Sequence, residues 1–262
     1  MKKSCSAFLA LFIALFQHSF PTQESLLLVK TEKFQKCRLL FPDGYDKDKS
    51  YPLLIALHGN GGDSESMVAF FGQYIQKTAI VAVPEGLYIK PGAARPMYSW
   101  FYETRQKALW RELDVPSAEF IVKIVDEVRL HCKIDCVFLF GFSQGAGMAY
   151  LAGLLFPARF SGIVAVGGTM PEVDTPYALL TSQHLAAGKH LRILVARGND
   201  DPLVKKSVIE KQTDLFTTNG YQVEFFEYSG GHILNRAVVE KTLAWMKMGI
   251  SPPKPASESE AT

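Results

Sequence analysis

The residues best suited to carry chemistry lie in one short stretch, Gly141-Phe142-Ser143-Gln144-Gly145. It has the spacing G-x-S-x-G, between an apolar run at 137–140 that predicts a strand and a stretch that predicts a helix. A sharp turn between strand and helix strains the serine backbone and thrusts the hydroxyl outward, so the flanking positions must lack bulk. The helix N-terminus favours developing negative charge. The pattern therefore predicts Ser143 as a nucleophile.

A serine hydroxyl is a weak nucleophile until a base takes its proton, and the best candidate base is His232. It follows Gly230 and Gly231, between the last predicted strand and the last predicted helix. The glycines allow an imidazole on this loop to approach the serine closely. Chain order supports the choice, because one recurrent arrangement of these groups runs serine, acid, histidine.

The acid that orients this histidine should follow the strand predicted at 191–196. Asp200 and Asp201 both lie there, in the sequence GNDDP at 198–202. Either carboxylate could fix the tautomer of the imidazole and stabilise its charged form. Either could instead cap the following helix, which Pro202 favours. Spacing alone does not choose between the two aspartates.

Two backbone N–H groups aimed at one point would stabilise the oxyanion formed when a serine attacks a carbonyl. The residue after the nucleophile, Gln144, offers one. The second is expected from the loop HGNGG at 58–62, which follows an apolar strand. A phosphate-binding loop is the alternative, but the segment lacks both the Gly-Lys-Ser/Thr ending of a P-loop and the spacing of a dinucleotide site.

The elements that must position these residues alternate along the chain. Short apolar runs and amphipathic stretches predict an α/β fold, with a mainly parallel central sheet of about eight strands and helices on both faces. The predicted strands are 26–29, 37–41, 53–57, 79–83, 137–140, 162–166, 191–196 and 223–228. The predicted helices are 64–76, 117–131, 144–156, 203–218 and 233–246.

One segment, 84–112, breaks this alternation. It holds six aromatic residues without a steady period and is long for a plain connection in a compact domain. Such segments tend to be functional loops. We therefore expect Tyr98, Trp100 and Phe101 to line the substrate pocket, with an inert surface excursion as the alternative.

Length and composition favour one domain with a small-molecule partner. The chain has 262 residues, of which 48% are apolar, enough to bury one large core, which we assign to 23–250. The formal net charge of +2 provides no broad field for nucleic acid or an anionic membrane. Nucleic acid is therefore not an expected partner.

The two ends of the chain differ from this domain. Lys2 and Lys3 precede an unbroken apolar run at 7–16, which predicts a signal peptide at 1–22 and an exported protein, periplasmic or secreted. The run is too short to span a bilayer, so we expect no stable membrane span in the mature form. Residues 251–262 are rich in Pro, Ser and Glu and are predicted to be a disordered tail.

The spacing of the cysteines does not by itself predict a disulfide. In an oxidising compartment Cys132 and Cys136 could form a disulfide if the helix end and the strand start come close enough, although packed or free thiols are favoured. No second cluster of Cys and His completes a metal site.

Five motifs, in order, resemble the phospholipase/carboxylesterase family of α/β-hydrolases. This family includes the acyl-protein thioesterases, with polyhydroxyalkanoate-depolymerase-like and feruloyl esterases as relatives. The motifs are LHGNGGD at 57–63, SWF at 99–101, GFSQGAGMA at 141–149, GNDDPLV at 198–204 and GGH at 230–232. The resemblance covers about 37–246, and it implies the α/β-hydrolase fold.

The resemblance also assigns residues. The family's acid is the fourth residue of G-x-x-D-x-x-V, which falls on Asp201 and decides against Asp200. The oxyanion donors carry over to Asn60, directly after His-Gly, and to Gln144. Two positions depart from the family: Arg197 stands where members often have His, and Lys205 where they often have Pro.

The expected function is that of a serine hydrolase that cleaves carboxylic esters, a carboxylesterase or lysophospholipase-like enzyme that needs no metal or organic cofactor. A thioesterase remains an alternative, because only the leaving group differs. A serine peptidase on the same fold commonly carries an additional large domain that this chain is too short to hold. A non-catalytic binding protein that keeps the fold is the third alternative, since fold alone does not establish activity.

Overall fold

The structure, a computed structural model, describes residues 34–74, 79–90 and 96–248. The strands in this part of the chain are β1 (Cys37–Leu40), β2 (Tyr51–Leu57), β3 (Ile80–Pro84), β4 (Tyr88–Lys90), β5 (Met97–Ser99), β6 (Ile134–Phe142), β7 (Gly162–Val166), β8 (Arg192–Gly198) and β9 (Gln222–Tyr228). The helices are α1 (Ser64–Phe71), α2 (Trp110–His131), α3 (Gln144–Leu155), α4 (Ser182–Ala187), α5 (Lys206–Thr218) and α6 (Arg236–Lys247).

Seven of these strands form one sheet with the order β1-β3-β2-β6-β7-β8-β9. β1 runs antiparallel to β3, and every other neighbouring pair in this sheet is parallel. The predicted α/β fold with a mainly parallel sheet is therefore confirmed. The described sheet has seven strands where about eight were expected, and the strand predicted at 26–29 lies outside the described residues. β4 and β5 form a separate antiparallel ribbon.

Helices cover both faces of the sheet, as parallel sheets require because their strands are apolar on both sides. On one face, α1 and α6 bury side chains that include Phe71 and Trp245. On the other face, α2, α3 and α5 bury side chains that include Ile121, Leu151 and Phe216. The carboxyl ends of the parallel strands meet at one edge of the sheet, where loops can bring distant residues together.

Helix α2 starts earlier than the sequence suggested. It was expected at 117–131, but it begins at Trp110 and contains Pro116 within its length. A proline is tolerated near a helix start because the first N–H groups have no partner within the helix, and here it lies only one turn beyond that region. The additional turns carry Trp110 and Asp114.

The two cysteines of the C-x-x-x-C pair are free thiols on opposite sides of the sheet. Cys132 belongs to the apolar cluster beneath α2 and α3, whereas Cys136 packs against the cluster of the other face. Burial raises the pKa of the Cys136 thiol to about 12, so this group is a poor nucleophile.

The signal peptide expected at 1–22 and the tail expected at 251–262 lie outside the described residues. Within the described part of the chain, no helix combines the length and the apolar character needed to cross a membrane.

Candidate active site

Ser143 occupies a strained turn between β6 and α3. Its backbone has φ 54° and ψ −117°, a conformation that residues with a side chain rarely adopt. The flanking glycines are required by space, because a Cβ at Gly141 would lie 2.1 Å from the carbonyl oxygen of Gly145. A Cβ at Gly145 would lie 2.4 Å from the carbonyl oxygen of Leu57. The spacing G-x-S-x-G thus follows from close packing within the turn at Gly141 and of the turn against the end of β2 at Gly145.

His232 lies on the loop after β9 and points its ring at this serine. Its Nε2 is 2.9 Å from Oγ of Ser143. A Cβ at Gly167, where φ is +57°, would lie 3.3 Å from the imidazole ring, so the glycine leaves room for it. The loop itself packs backbone to backbone on the end of β8, since a Cβ at Gly198 would lie 2.2 Å from the carbonyl oxygen of Gly231.

Asp201, on the loop after β8, completes the row. Its Oδ2 is 2.8 Å from Nδ1 of His232, and its Oδ1 accepts hydrogen bonds from the backbone N–H groups of Leu203 and Val204, at 2.8 and 3.0 Å. Desolvation by burial is the largest influence and opposes ionisation, but these hydrogen bonds together outweigh it and lower the pKa of Asp201. Asp200, the other candidate, is exposed to solvent.

The loop that carries this acid is held by Arg197, a residue that the sequence marked only as a departure from the family. Its guanidinium donates to the carbonyl oxygens of Val204 at 2.7 Å, Asn199 at 3.1 Å and Asp201 at 3.3 Å. It also pairs with Oε1 of Glu227 at 3.0 Å. The guanidinium therefore ties both sides of the acid loop to β9.

The two expected oxyanion donors flank Ser143. The N–H of Gln144 is at the first position of α3, where no carbonyl of the helix can accept it. On the other side, a Cβ at Gly59 would lie 3.4 Å from Cβ of Ser143, which brings the turn that contains Asn60 beside the nucleophile. Asn60 itself is exposed, and its Oδ1 accepts a hydrogen bond from Lys90 at 3.2 Å.

Buried hydrogen bonds fix the turn that leads to Asn60. His58 accepts at Nε2 from the N–H of Gly86, at 3.0 Å, so its proton is on Nδ1, which donates to the carbonyl oxygen of Gly59 at 2.7 Å. Desolvation lowers the pKa of His58, which keeps the ring neutral. The indole Nε1 of Trp100 donates to the carbonyl oxygen of His58 at 2.8 Å, and the two rings pack 4.8 Å apart.

Comparison with known proteins gives the family. The sequence model described as Phospholipase/Carboxylesterase matches residues 45–249. The chain belongs to the phospholipase/carboxylesterase family. The family resemblance, the α/β-hydrolase fold and an esterase or thioesterase type of hydrolase are thus supported together.

Individual relatives of this phospholipase/carboxylesterase family member are distant. MhqD of Bacillus subtilis is 24% identical over 209 residues, which are 79% of this chain and 98% of MhqD. Acyl-protein thioesterase 1 of Eremothecium gossypii is 24% identical over 217 residues, which are 77% of this chain and 89% of that protein. The solved structure of the Bacillus cereus carboxylesterase has a TM-score of 0.64 and 21% identity, and the match covers 82% of this chain and 94% of that one.

A cavity of about 620 Å³ opens beside Ser143 and His232 in this family member. Phe101 lines it, as expected, but Tyr98 and Trp100 are not among its lining residues. Trp100 is fully buried because its indole packs on His58 and its carbonyl accepts from Ser117 at 2.7 Å. The aromatic segment therefore packs Trp100 against the turn at 58–62 and places the next residue, Phe101, in the cavity wall.

Other cavity residues were not found from the sequence, because they come from segments far apart in the chain. They include Tyr102, Glu103 and Asp114 before and within α2, Met170, Glu172 and Tyr177 after β7, and Leu203 and Val204 after Asp201. The described residues contain no cluster of three or more His, Cys, Asp or Glu side chains that could hold a metal ion.

Proposed function

We propose that the protein hydrolyses carboxylic esters through an acyl-enzyme formed on Ser143. The observation that carries this proposal is the row of two short contacts, 2.9 Å from Oγ of Ser143 to Nε2 of His232 and 2.8 Å from Nδ1 of His232 to Oδ2 of Asp201. A serine so placed can lose its proton to the imidazole, which the carboxylate holds in the required tautomer.

In the first half of the reaction, Oγ of Ser143 attacks the ester carbonyl carbon while Nε2 of His232 takes the hydroxyl proton. The carbonyl oxygen becomes an oxyanion, which the N–H groups of Gln144 and Asn60 stabilise. The bond to the alcohol oxygen then breaks, and His232 returns the proton to that oxygen. The ionised Asp201 stabilises the imidazolium throughout, which is consistent with its lowered pKa.

In the second half, a water molecule repeats the attack on the acyl-enzyme. His232 takes one proton from the water, the hydroxide oxygen adds to the carbonyl carbon, and the bond to Oγ of Ser143 breaks. The proton then returns to Oγ, the acid product leaves, and the enzyme regains its starting state. No step consumes a cofactor.

Thioesters are the second candidate substrates. The relative from Eremothecium gossypii is named an acyl-protein thioesterase, and a thiol leaving group would use the same serine, base and acid. Rates on an ester and a thioester with the same acyl group would separate the two. A thioesterase would be favoured if the ratio of kcat/KM for the thioester to kcat/KM for the ester exceeds the ratio of their uncatalysed hydrolysis rates.

The test of the proposed nucleophile is labelling of the protein with a fluorescent fluorophosphonate, together with hydrolysis of p-nitrophenyl esters of increasing acyl length. Ser143→Ala should abolish both, and His232→Ala should reduce both by at least about 10³-fold, because the serine loses its base. Ser207→Ala is the matched control, since Ser207 is exposed on α5. A folded parent that is neither labelled nor active would contradict the proposal and favour a binding protein.

We also infer export of the protein from the apolar run at 7–16 behind Lys2 and Lys3. The inference predicts that the protein recovered outside the cytoplasm starts after about residue 22. Fractionation followed by mass determination of the intact protein tests it, and an unprocessed chain in the cytoplasmic fraction would contradict it.

A further inference from the structure

The cavity beside Ser143 carries negative charge and aromatic rings. Its lining includes three carboxylates, Glu103, Asp114 and Glu172, and none of its described lining residues is Lys or Arg. Four aromatic side chains share the wall: Phe101, Tyr102, Trp110 and Tyr177. Ester hydrolysis itself uses none of these groups, so their combination points to the substrate.

The three carboxylates are not equivalent. Glu103 is paired with Lys90, and Glu172 accepts a hydrogen bond from Oγ1 of Thr175 at 3.0 Å. Asp114 is only 4% exposed, and its single described partner is the backbone N–H of Tyr102, which donates to Oδ1 at 2.8 Å. Its Oδ2 has no partner among the described residues. Among the described residues, Nη1 of Arg192 is the one buried side-chain polar atom without a partner, so Oδ2 of Asp114 is open to solvent at the cavity. It can therefore meet a cation or a donor that enters the cavity.

We propose that this cavity selects esters that carry a positively charged group, with a quaternary ammonium as the best match, held by Asp114 and the aromatic wall. The proposal rests on the proposed ester hydrolysis, and it names the substrate class of the same site. Ser143 and His232 line the cavity that would hold the cation, so the charged group and the scissile bond belong to one molecule.

A quaternary ammonium fits this lining better than a neutral group of the same shape. It has no N–H to donate, so it needs diffuse negative charge rather than directed acceptors, and aromatic faces supply that charge. The carboxylate of Asp114 adds attraction in a site partly shielded from water. A neutral tert-butyl group of equal size would gain the apolar contacts but neither electrostatic contribution.

Asp114 is charged at neutral pH. Desolvation raises its pKa to about 6, and the Tyr102 N–H opposes that rise. The neighbouring phenol of Tyr88 stays neutral, because desolvation raises its pKa to about 12. The Lys107 ammonium lies over the Trp110 ring, 5.1 Å from its centroid, so one face of that ring already has a cation and Phe101, Tyr102 and Tyr177 are the rings left for a ligand. Glu103, with Lys90, and Glu172 line the same cavity.

The kinetic test compares matched substrates. Butyrylcholine is paired with the butyrate ester in which a tert-butyl group replaces the trimethylammonium, so the alcohol part differs only in charge. A second pair places the same two groups at the end of the acyl chain of a p-nitrophenyl ester. The parent should favour the charged member of at least one pair by about tenfold in kcat/KM at neutral pH.

The variant Asp114→Asn removes the charge, and its amide oxygen can still accept from Tyr102. It should lower kcat/KM for the charged member about tenfold and leave the neutral member within about twofold. Asp126→Asn is the matched control, because Asp126 lies on the same helix, exposed and paired with Arg159 outside the cavity. The preference of the parent should also decline as the pH falls through about 6, where Asp114 takes up a proton.

A binding measurement keeps the inference independent of catalysis. The Ser143→Ala protein should bind butyrylcholine in calorimetry, and the double variant with Asp114→Asn should bind it about tenfold more weakly. The inference would be overturned if the parent hydrolyses the neutral esters and shows no preference for the charged member of either pair. It would also be overturned if the preference persists in Asp114→Asn. Either outcome would leave the proposed function intact. Butyrylcholine bound by a protein that cleaves no ester would instead overturn the proposed function alone.

Discussion

The carboxylate of Asp201 reaches His232 with one oxygen, at 2.8 Å from Nδ1, while the N–H groups of Leu203 and Val204 hold its other oxygen. The backbone of its own loop therefore holds the Asp201 carboxylate in position for its contact with His232. An ionised carboxylate in this position imposes the tautomer with the proton on Nδ1, which leaves Nε2 free to act as a base.

Asp201→Asn should lower kcat by about 10³- to 10⁴-fold, because an amide can donate to Nδ1 and thereby favour the wrong tautomer. KM should change little. Asp200→Asn is the control at the adjacent, exposed position and should retain activity within about twofold. Steady-state kinetics on one p-nitrophenyl ester decides between them, and a larger loss in Asp200→Asn would mean that the acid had been assigned to the wrong residue.

Arg197→Met is expected to reduce both stability and kcat. The substitution removes three hydrogen bonds to loop carbonyls and the buried partner of Glu227, for a loss of about 2–4 kcal/mol in the free energy of unfolding. Because the loop positions Asp201, kcat should fall about tenfold with KM nearly unchanged.

Lys206→Met is the matched control for this prediction. Lys206 pairs with Oε2 of the same Glu227 at 3.0 Å, but its side chain is half exposed, so its removal should lower the free energy of unfolding by less than about 1 kcal/mol. Equal losses in the two variants, measured by urea unfolding, would contradict a positioning role for Arg197.

The parts of the molecule that depend on local pattern were predictable from the sequence. The strand, turn and helix around Ser143 were predicted because apolar runs and glycines specify them within a few residues. The sequence alone left Asp200 and Asp201 equivalent, and only the family motif distinguished them. The early start of α2 was missed because Pro116 resembles a helix boundary, whereas it lies within the helix.

The cavity depended on contacts that no local pattern records. Asp114 lies outside the helix predicted at 117–131, and only the fold places it on α2 beneath Tyr102, at the wall shared with Tyr177. The aromatic residues of segment 84–112 predicted that Tyr98, Trp100 and Phe101 line the substrate pocket. They did not show that the indole of Trp100 turns inward, because that direction is set by a hydrogen bond to His58, a residue on a distant strand end.

Gly145→Ala should prevent the nucleophile turn from closing. The added Cβ would lie 2.4 Å from the carbonyl oxygen of Leu57, so α3 or the end of β2 must move. We expect a loss of at least about 3 kcal/mol in the free energy of unfolding, or insoluble protein.

Gly147→Ala, two residues further along α3, is the control. Its nearest contact would be 3.3 Å from the carbonyl oxygen of Thr169, and alanine favours the helix, so its free energy of unfolding should change by less than about 1 kcal/mol. Urea unfolding of the two variants provides the comparison. A Gly145→Ala protein as stable as Gly147→Ala would show that the turn has more room than the structure gives it.

Asp114→Asn should stabilise the protein as the pH rises above about 4, and the gain should reach its full size above about pH 6. The pKa of Asp114 is raised to about 6 in the folded state, against about 3.9 in an unfolded chain, so the folded state binds this proton more tightly. The stability from this group is fully present below pH of about 4 and is lost as the pH rises to about 6. Above that range the parent carries the cost of a buried charge that the variant lacks.

The expected gain at pH of about 7.5 is about 1–2 kcal/mol in the free energy of unfolding, after allowance for solvent that reaches Asp114 through the cavity. At pH of about 4 the two proteins should be equally stable. Asp201 acts in the opposite sense, because its pKa is lowered and its contribution to the free energy of unfolding is lost as the pH falls. Both proteins contain Asp201, so this contribution cancels when they are compared. Urea unfolding across this pH range measures the difference. A variant less stable than the parent at pH of about 7.5 would mean that the Asp114 carboxylate already has a partner, and the cavity would then have no need of a cationic substrate.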